Sequence, residues 1–360
     1  MTASSLERIA VLGLGKVGML AAHLLADAGF DVVGIDQREI AGGPELGSIE
    51  IAGGVDVASD ALDRHLADVD AVLSCLPYHL NTAVAERAHR AQIHYFDLTE
   101  DVPTTDRIRE LAATSPRVMA PQCGLAPGFV GIVAAGQIAT FDRCRSVRMR
   151  VGALPQHPTG LLAYAFNWSP EGVVNEYLND CEVIEDGERK WVSPMEWHET
   201  IHVSGTRLEA FTTSGGLGTM CETYHGVVEN LDYKTMRYPG HMDLMNFFFH
   251  ELLMRERRED AGRILTNAKP PVDDDVVYVH VAAEGERDGR LGRAGFVRSY
   301  LPKVVGGIRS TAIAWTTASS VVAVIEMVRD GALPSSGFIK QEDVDLEAFL
   351  ATTTGSHFLD

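Results

Sequence analysis

The sequence predicts an α/β protein in which a parallel, doubly wound sheet is followed by a second domain of α+β texture. Three observations carry that prediction. From residue 6 to about residue 120, short apolar runs alternate with helical stretches, as strand–helix–strand units require. A glycine-rich turn, Gly13-Leu14-Gly15-Lys16-Val17-Gly18, joins the first apolar run to the first helix. After Pro127 the pattern changes to strand-like pieces of period two mixed with helices.

In chain order, Ile9–Leu12 reads as the first strand and Met19–Ala28 as a helix closed by Gly29. Asp31–Asp36 reads as the second strand. A glycine-rich loop over Ala41–Gly47 precedes a third near Ser48–Ala52. Ala71–Leu76 and Ile93–Asp97 are two further buried strands, with a helix from Asn81 to Ala91 between them, and Arg117–Pro121 is a sixth. A helix over Phe129–Thr140 then leads into Ser146–Val151, which alternates in period two. Further strand pieces fall at His198–Val203, Arg207–Thr212 and Val276–Ala283, and Met242–Met254 reads as one helix. Ser310–Arg329 reads as a long, largely apolar helix that packs back on the first domain. The expected division is residues 1–125, 126–305 and a returning segment 306–360. No internal repeat or low-complexity tract interrupts it.

Composition excludes several function classes. The 50 acidic residues against 31 basic ones give a net charge of −19, a field that repels nucleic acid and anionic membrane. With 46% hydrophobic residues among 360, the chain fills a sizeable core. Five cysteines, odd in number and without a CxxC pair, suit reduced thiols in the cytoplasm. The N-terminus shows no secretory pattern, and no apolar run reaches the ~18 residues of a membrane span.

The glycine-rich turn has the GxGxxG pattern in the place the pattern requires, between a strand and a helix. Gly13 permits the tight turn, Gly15 lets a pyrophosphate approach the backbone, and Gly18 allows close helix–strand packing. The helix N-terminus, with Lys16 and Val17, faces the phosphates. This is the Rossmann dinucleotide fingerprint; its plain alternative is a glycine-rich turn without a ligand. Asp36 follows Gly18 by 18 residues at the end of the second strand, where a carboxylate accepts both ribose hydroxyls and repels the 2′-phosphate of NADP. NAD is therefore the expected cofactor. Gln37 and Arg38 follow on the same edge, and the Arg38 guanidinium leaves room for NADP.

Leu76-Pro77-Tyr78 closes the fourth strand at the same carboxyl edge, where open sheets bind ligands. Tyr78 either packs near a nicotinamide or covers the edge. Asp97 ends the fifth strand and either binds a substrate ammonium and takes its proton or caps the following turn. Next comes Cys123-Gly124-Leu125-Ala126-Pro127-Gly128-Phe129. Together with Gly152-Ala153-Leu154-Pro155, Phe166-Asn167-Trp168-Ser169-Pro170, Leu208-Glu209-Ala210-Phe211 and Lys234-Thr235-Met236-Arg237-Tyr238-Pro239-Gly240-His241, this segment resembles the saccharopine dehydrogenase-like family. Within that family the resemblance is to the lysine 6-dehydrogenase type.

The resemblance implies a two-domain NAD(P) enzyme that oxidises or reductively forms a C–N bond on a lysine-like amino acid, built as a homodimer through its second domain. It also implies that Leu76, Pro77, Tyr78, Leu98, Thr99 and Leu125 to Gly128, Pro127 included, line the cofactor and substrate cleft. Two departures set the chain apart from saccharopine reductases. Ala126 stands where they have an acid, and Thr212-Thr213-Ser214-Gly215 stands where they carry an arginine. Losing polar groups points to a smaller substrate, lysine or a close ω-amino acid. Asp97, Tyr78 and Cys123 are the candidates to hold the amine or accept its proton. Ser214 and Arg237 are the candidate substrate contacts, Arg237 for the α-carboxylate or else as half of an ion pair between domains.

His198-Glu199-Thr200-Ile201-His202 matches HExxH, but Pro194, Gly205 and the β-branched residues favour a strand, which points Glu199 away from both histidines. Gly215-Gly216-Leu217-Gly218 reads as a flexible turn and Phe247-Phe248-Phe249 as core or dimer interface. Against the leading reading stand an opine-type reductase, an NAD-binding regulator without turnover and, more distantly, a zinc hydrolase.

Overall fold

The computed structural model describes residues 6–40 and 47–359, so the loop expected over Ala41–Gly47 lies, Gly47 apart, outside the described residues. The chain divides into two compact units. One comprises Met1–Phe129, Val304–Ser310 and Ala314–Asp360; the other comprises Val130–Lys303 and Thr311–Ile313.

The first unit opens with β1 (Arg8–Leu12), α1 (Lys16–Asp27), β2 (Asp31–Ile35), β3 (Glu50–Ala52) and α2 (Ala61–Leu66). It continues through β4 (Ala71–Ser74), α3 (Tyr78–Ala91), β5 (His94–Asp97), α4 (Val102–Ala112) and β6 (Val118–Ala120). Helix α5 (Phe129–Ile138) then carries the chain into the second unit. There follow β7 (Arg143–Pro155), α6 (Pro170–Leu178), β8 (Cys181–Glu185), β9 (Glu188–Val192), β10 (Glu199–Val203) and β11 (Thr206–Thr212). After α7 (Met220–Tyr224) come β12 (Asn230–Arg237), α8 (His241–Asn246), α9 (Arg258–Ala268), β13 (Asp275–Arg287) and β14 (Arg290–Tyr300). A two-stranded ribbon, β15 (Lys303–Val305) with β16 (Ile308–Ser310), precedes α10 (Ala312–Arg329), β17 (Gly337–Phe338) and α11 (Leu346–Ala351).

The first sheet is parallel throughout, in the order β17-β6-β5-β4-β1-β2-β3. A parallel sheet is covered on both faces, which is why its strands are continuous apolar runs. Ala71, Val72 and Leu73 of β4 have no exposed surface, and neither do Tyr95 and Phe96 of β5. The second sheet runs β10-β11-β12-β7-β13-β14, antiparallel except where β12 lies parallel to β7, with the β8–β9 hairpin attached through β12. In β7 Val147, Met149 and Val151 are buried and Arg148 is exposed, but the expected alternation fails at Arg150, which is buried and paired with Glu199 and Asp232.

Several elements differ from the sequence expectation, each for a local reason. Helix α1 begins at Lys16 rather than Met19, because the helix takes Gly15 as its N-cap. Helix α3 begins at Tyr78 rather than Asn81, because Pro77 supplies a φ of −54° at its entrance. The single helix expected over Met242–Met254 is broken: α8 passes into a π turn at Phe247–Glu251, and Leu253, at φ 57°, ends it. Of the three phenylalanines, Phe249 is fully buried while Phe247 is about half exposed. Strand β17, two residues long, escapes any periodicity argument.

The expectation that no segment has the length and apolarity of a membrane span is corrected by α10. It is 18 residues long with mean hydropathy 1.3, and 83% of it is buried inside the protein. Its N-terminus is capped from a distance: the Asp275 carboxylate, itself fully buried, accepts from the Ala312 N–H at 2.6 Å and the Ile313 N–H at 3.0 Å. Replacing Asp275 by Ala removes the carboxylate that both N–H groups share. Urea unfolding of Asp275→Ala is expected to show a loss of about 1–2 kcal/mol against wild type.

Candidate active site

The candidate site lies at the carboxyl edge of the first sheet. The strand order reverses beside β1, with β2 on one side and β4 on the other, and open α/β sheets take their ligands at such a point. Three glycines shape the turn that leaves β1. Gly13 stands at φ 85° and donates its N–H to the Ile35 carbonyl at 2.9 Å. A Cβ on Gly18 would lie 1.9 Å from the Gly13 carbonyl oxygen, so α1 can pack on the turn only without a side chain there. Gly15 is exposed, and a Cβ placed on it would meet nothing within 4 Å. No side chain caps α1, with Lys16 exposed and Val17 half-buried in its first turn. Open backbone at a helix N-terminus is what a pyrophosphate requires, and these residues fit one.

Asp36 follows β2 and is 6% exposed. Its Oδ2 accepts from the Leu14 N–H at 2.8 Å, which fastens the end of β2 to the glycine turn. Arg38 closes on the same carboxylate. Its Nε donates to Oδ1 at 2.9 Å, its Nη2 to Oδ2 at 2.9 Å, and its backbone N–H to Oδ1 at 2.9 Å. These bonds, the Arg38 side chain first among them, hold the Asp36 carboxyl down at about 2 despite burial. The acid expected to repel a 2′-phosphate is thus half of a neutral ion pair. The Arg38 side chain is 63% exposed, so a ligand can reach it. Gln37, between the two, is exposed.

Asp97 is placed at the same edge but is not presented to a ligand. Its Oδ2 accepts from the Tyr95 hydroxyl at 2.7 Å, and its Oδ1 accepts from the Thr99 and Gln122 N–H groups, each at 3.0 Å. It has no exposed surface, and burial, partly offset by these bonds, pushes its carboxyl up to about 6. The turn-capping alternative is the one its hydrogen bonds show. Cys123 is fully buried too: its Sγ donates to the Ala120 carbonyl at 3.2 Å and accepts from the Gln341 amide at 3.2 Å. Burial raises its thiol well above the usual range, which does not suit a proton carrier.

Tyr78, first residue of α3, is half-buried, and its hydroxyl has no hydrogen bond among the described residues. Leu76 and Leu98 are half-buried and Pro77 is exposed, while Thr99, Leu125 and Pro127 are buried. Leu76 packs against the glycine turn, its Cδ2 3.0 Å from where a Gly13 Cβ would sit. Gly124 and Gly128 bridge directly, and Phe129 donates its N–H to the Gly124 carbonyl at 2.9 Å, so the Leu125–Pro127 segment is a closed loop.

The two substrate candidates of the second unit are engaged within it. Arg237 is 2% exposed; its Nε donates to the Tyr177 hydroxyl at 2.7 Å and its Nη1 to the Met236 carbonyl at 2.9 Å. The guanidinium lies 4.7 Å from the centre of the Tyr164 ring. Tyr177 is in turn 3.0 Å from His241 Nε2, and His241 Nδ1 is 3.0 Å from the Leu162 carbonyl. Neither a free carboxylate receptor nor an ion pair describes Arg237: it makes no salt bridge with a carboxylate among the described residues. Ser214 is half-buried, and its hydroxyl donates to the Asn175 carbonyl at 3.3 Å. The HExxH segment is a strand, and Glu199 is ion-paired with Arg150 and, at 3.2 Å, with Lys234.

Sequence reasoning missed Gln341, Tyr95 and Glu100. Tyr95 is two residues from Asp97 on one strand, so period two puts both on one face and was the available signal. Gln341 lies 218 residues from Cys123, beyond any local pattern. Glu100 lies in the turn beyond β5, past Leu98 and Thr99, and is half-buried.

Comparison with known proteins agrees with this fold. The family model for the saccharopine dehydrogenase NADP binding domain matches residues 9–120, and that for the saccharopine dehydrogenase C-terminal domain matches residues 124–353. A saccharopine dehydrogenase [NADP(+), L-glutamate-forming] of Saccharomyces cerevisiae is 28% identical over 146 residues, 39% of this chain and 33% of that protein. The Pyricularia oryzae protein of the same name is 26% identical over 194 residues, 51% of this chain and 42% of its own. The matches therefore span well under half the length of these relatives. Among solved structures, apo saccharopine dehydrogenase (L-Glu forming) from Saccharomyces cerevisiae superposes with TM-score 0.75 at 18% identity, covering 96% of this chain and 97% of that one. The DAP dehydrogenase of C. glutamicum gives TM-score 0.51 at 13% identity over 99% of both chains. At such identities these likenesses speak for the fold.

The hydrogen bonds of Asp97 predict a structural phenotype. Asp97→Asn turns one acceptor into a donor that faces an N–H or the Tyr95 hydroxyl. Its unfolding free energy is expected to fall by about 1–3 kcal/mol in urea titration.

Proposed function

The chain belongs to the saccharopine dehydrogenase family, and we propose that it oxidises the CH–NH₂ group of a small lysine-like amino acid with a nicotinamide dinucleotide, NAD ahead of NADP. The observation that carries the reading is the open backbone at Gly15 beside the buried Asp36 carboxylate. Together they offer an anion cradle and a ribose acceptor at one edge. When bound, the dinucleotide supplies the acceptor for the hydride of the amine-bearing carbon.

The chain's own residues hold and shape the rest. Asp36 takes the ribose hydroxyls as Arg38 lets go of it, whereas a 2′-phosphate would draw Arg38 to itself. The pair therefore favours NAD without excluding NADP. Leu76, Pro77, Leu98 and Thr99 border the edge, and Tyr78 offers an unengaged hydroxyl. Ala126 and Thr212–Gly215 supply neither the acid nor the arginine that would hold a tricarboxylic opine, which supports a smaller amino acid. A homodimer fits the same reading: β14 is the edge strand of the second sheet, with Leu291 and Val297 exposed along it.

The names of the relatives favour a second reading, an opine-type reductase that joins an amine to a carbonyl compound with NAD(P)H. Purified protein given NAD and a panel of ω-amino acids is expected to form NADH with lysine or a near homologue. NAD(P)H consumption that needs both an amine and an oxo acid would favour the reductase instead. For the cofactor, Arg38→Ala is expected to shift the NADH-to-NADPH affinity ratio toward NADH by about tenfold in fluorescence titration.

A further inference from the structure

We propose that a hollow in the second sheet binds a short-chain carboxylic acid, held by Arg148 and Ser146 against Leu291. The hollow lies wholly within the second unit and is independent of the amine-oxidising reading above. Its volume is about 340 Å³, within the range of small-molecule pockets, and Arg145, Ser146, Arg148, Glu229, Glu284 and Leu291 are among the residues that line it. A break in strand register lies beside it. The pairing of β13 with β7 shifts between Glu284 and Gly285, and a Cβ on Gly285 would lie 2.4 Å from the Arg143 carbonyl oxygen. Bulges of this kind bend a strand and re-aim the side chains next to them.

The acids around the hollow are already engaged. Glu229 accepts from Arg143 Nη2 at 2.9 Å and from Arg145 Nε and Nη2 at 3.1 Å each. Glu284 accepts from Arg293 Nε at 3.0 Å. Asp232, opposite Arg148 on β12, is ion-paired with Arg150 at 2.8 Å. Arg148 is exposed and makes no hydrogen bond or ion pair among the described residues. Ser146 stands two residues before it, on the same face of β7, and is half-buried with its hydroxyl likewise unengaged. An arginine on a flat surface is simply hydrated. Here an uncommitted guanidinium and an uncommitted hydroxyl line one hollow whose acids have other partners.

Charge and shape set the class of ligand. The chain as a whole carries −19, yet four guanidiniums, those of Arg143, Arg145, Arg148 and Arg293, here meet two carboxylates, Glu229 and Glu284. Glu286 acts on Arg145 as a third. Four against three leaves one positive charge, which a single carboxylate cancels and a phosphate dianion exceeds. A guanidinium grips a carboxylate through two parallel N–H···O bonds, and the Ser146 hydroxyl can donate another. Leu291, 72% exposed, supplies an apolar wall for a short hydrocarbon tail.

Valerate is the probe for the test, with pentanamide as its uncharged counterpart, at constant ionic strength. In methyl NMR spectra the Leu291 signals, identified by their loss in Leu291→Ala, are expected to shift saturably with valerate. Pentanamide and inorganic phosphate are expected to leave them in place. Arg148→Gln is expected to raise the valerate dissociation constant about tenfold or more. Arg148→Lys, which keeps the charge and loses the fork, is expected to recover only part of the affinity. Leu291 shifts that never appear, that survive Arg148→Gln unchanged, or that pentanamide or phosphate reproduces would overturn the site. Leu291 signals that move on dilution of the protein and not with valerate would assign this face to a second copy, and overturn it as well. None of these readouts needs turnover, so their failure leaves the amine-oxidising reading standing.

Discussion

A single buried carboxylate organises the carboxyl edge of the first sheet. Asp97 joins the end of β5 to the loop leaving β6 through Gln122 and to its own following turn through Thr99, while Tyr95 closes its remaining face. The Cys123 N–H adds a bond to the Asp97 carbonyl at 2.9 Å, so the same residue also fixes the approach to the Gly124–Gly128 loop. Taking a carboxylate out of water costs several kcal/mol, and only a full set of donors offsets that cost. Here the donors come from β5 with the turn that follows it and from the loop leaving β6, so the mutual position of those two stretches depends on the charge they share.

That arrangement divides labour along the edge. Asp97 and Cys123, groups that look reactive by type, are engaged in holding the scaffold. The glycine turn follows the same logic: Gly13 and Gly18 are fixed by close contact, and only Gly15 is left open.

Much of the first unit was legible in the sequence because its signals are local. Strand runs, the glycine spacing and the position of Asp36 are all set by neighbours within a few residues, whereas the order of the strands in the sheet appears only in the structure. The site was legible in its location more than in its roles. Asp97 carries the same side chain whether it serves a ligand or a turn, and only the positions of Tyr95 and Gln122 decide. In the second unit, Arg237 was noticed as a charge. What surrounds it, Tyr177, Tyr164 and His241, comes from segments far apart in the chain that no period connects. Helix α10 shows the opposite limit: its composition alone fits a membrane span, and burial inside the protein decides otherwise.

The Asp36–Arg38 pair also bears on how the protein waits between encounters. A bare carboxylate at 6% exposure would be an unpaired charge whenever no dinucleotide is present, and the fold would lean on its cofactor for stability. With the guanidinium folded over it, the acid is satisfied from within, and binding becomes an exchange of partners rather than the rescue of an orphan. Any ligand that takes the Asp36 carboxylate must first break its bonds to Arg38, and the acid keeps a partner when no ligand is there.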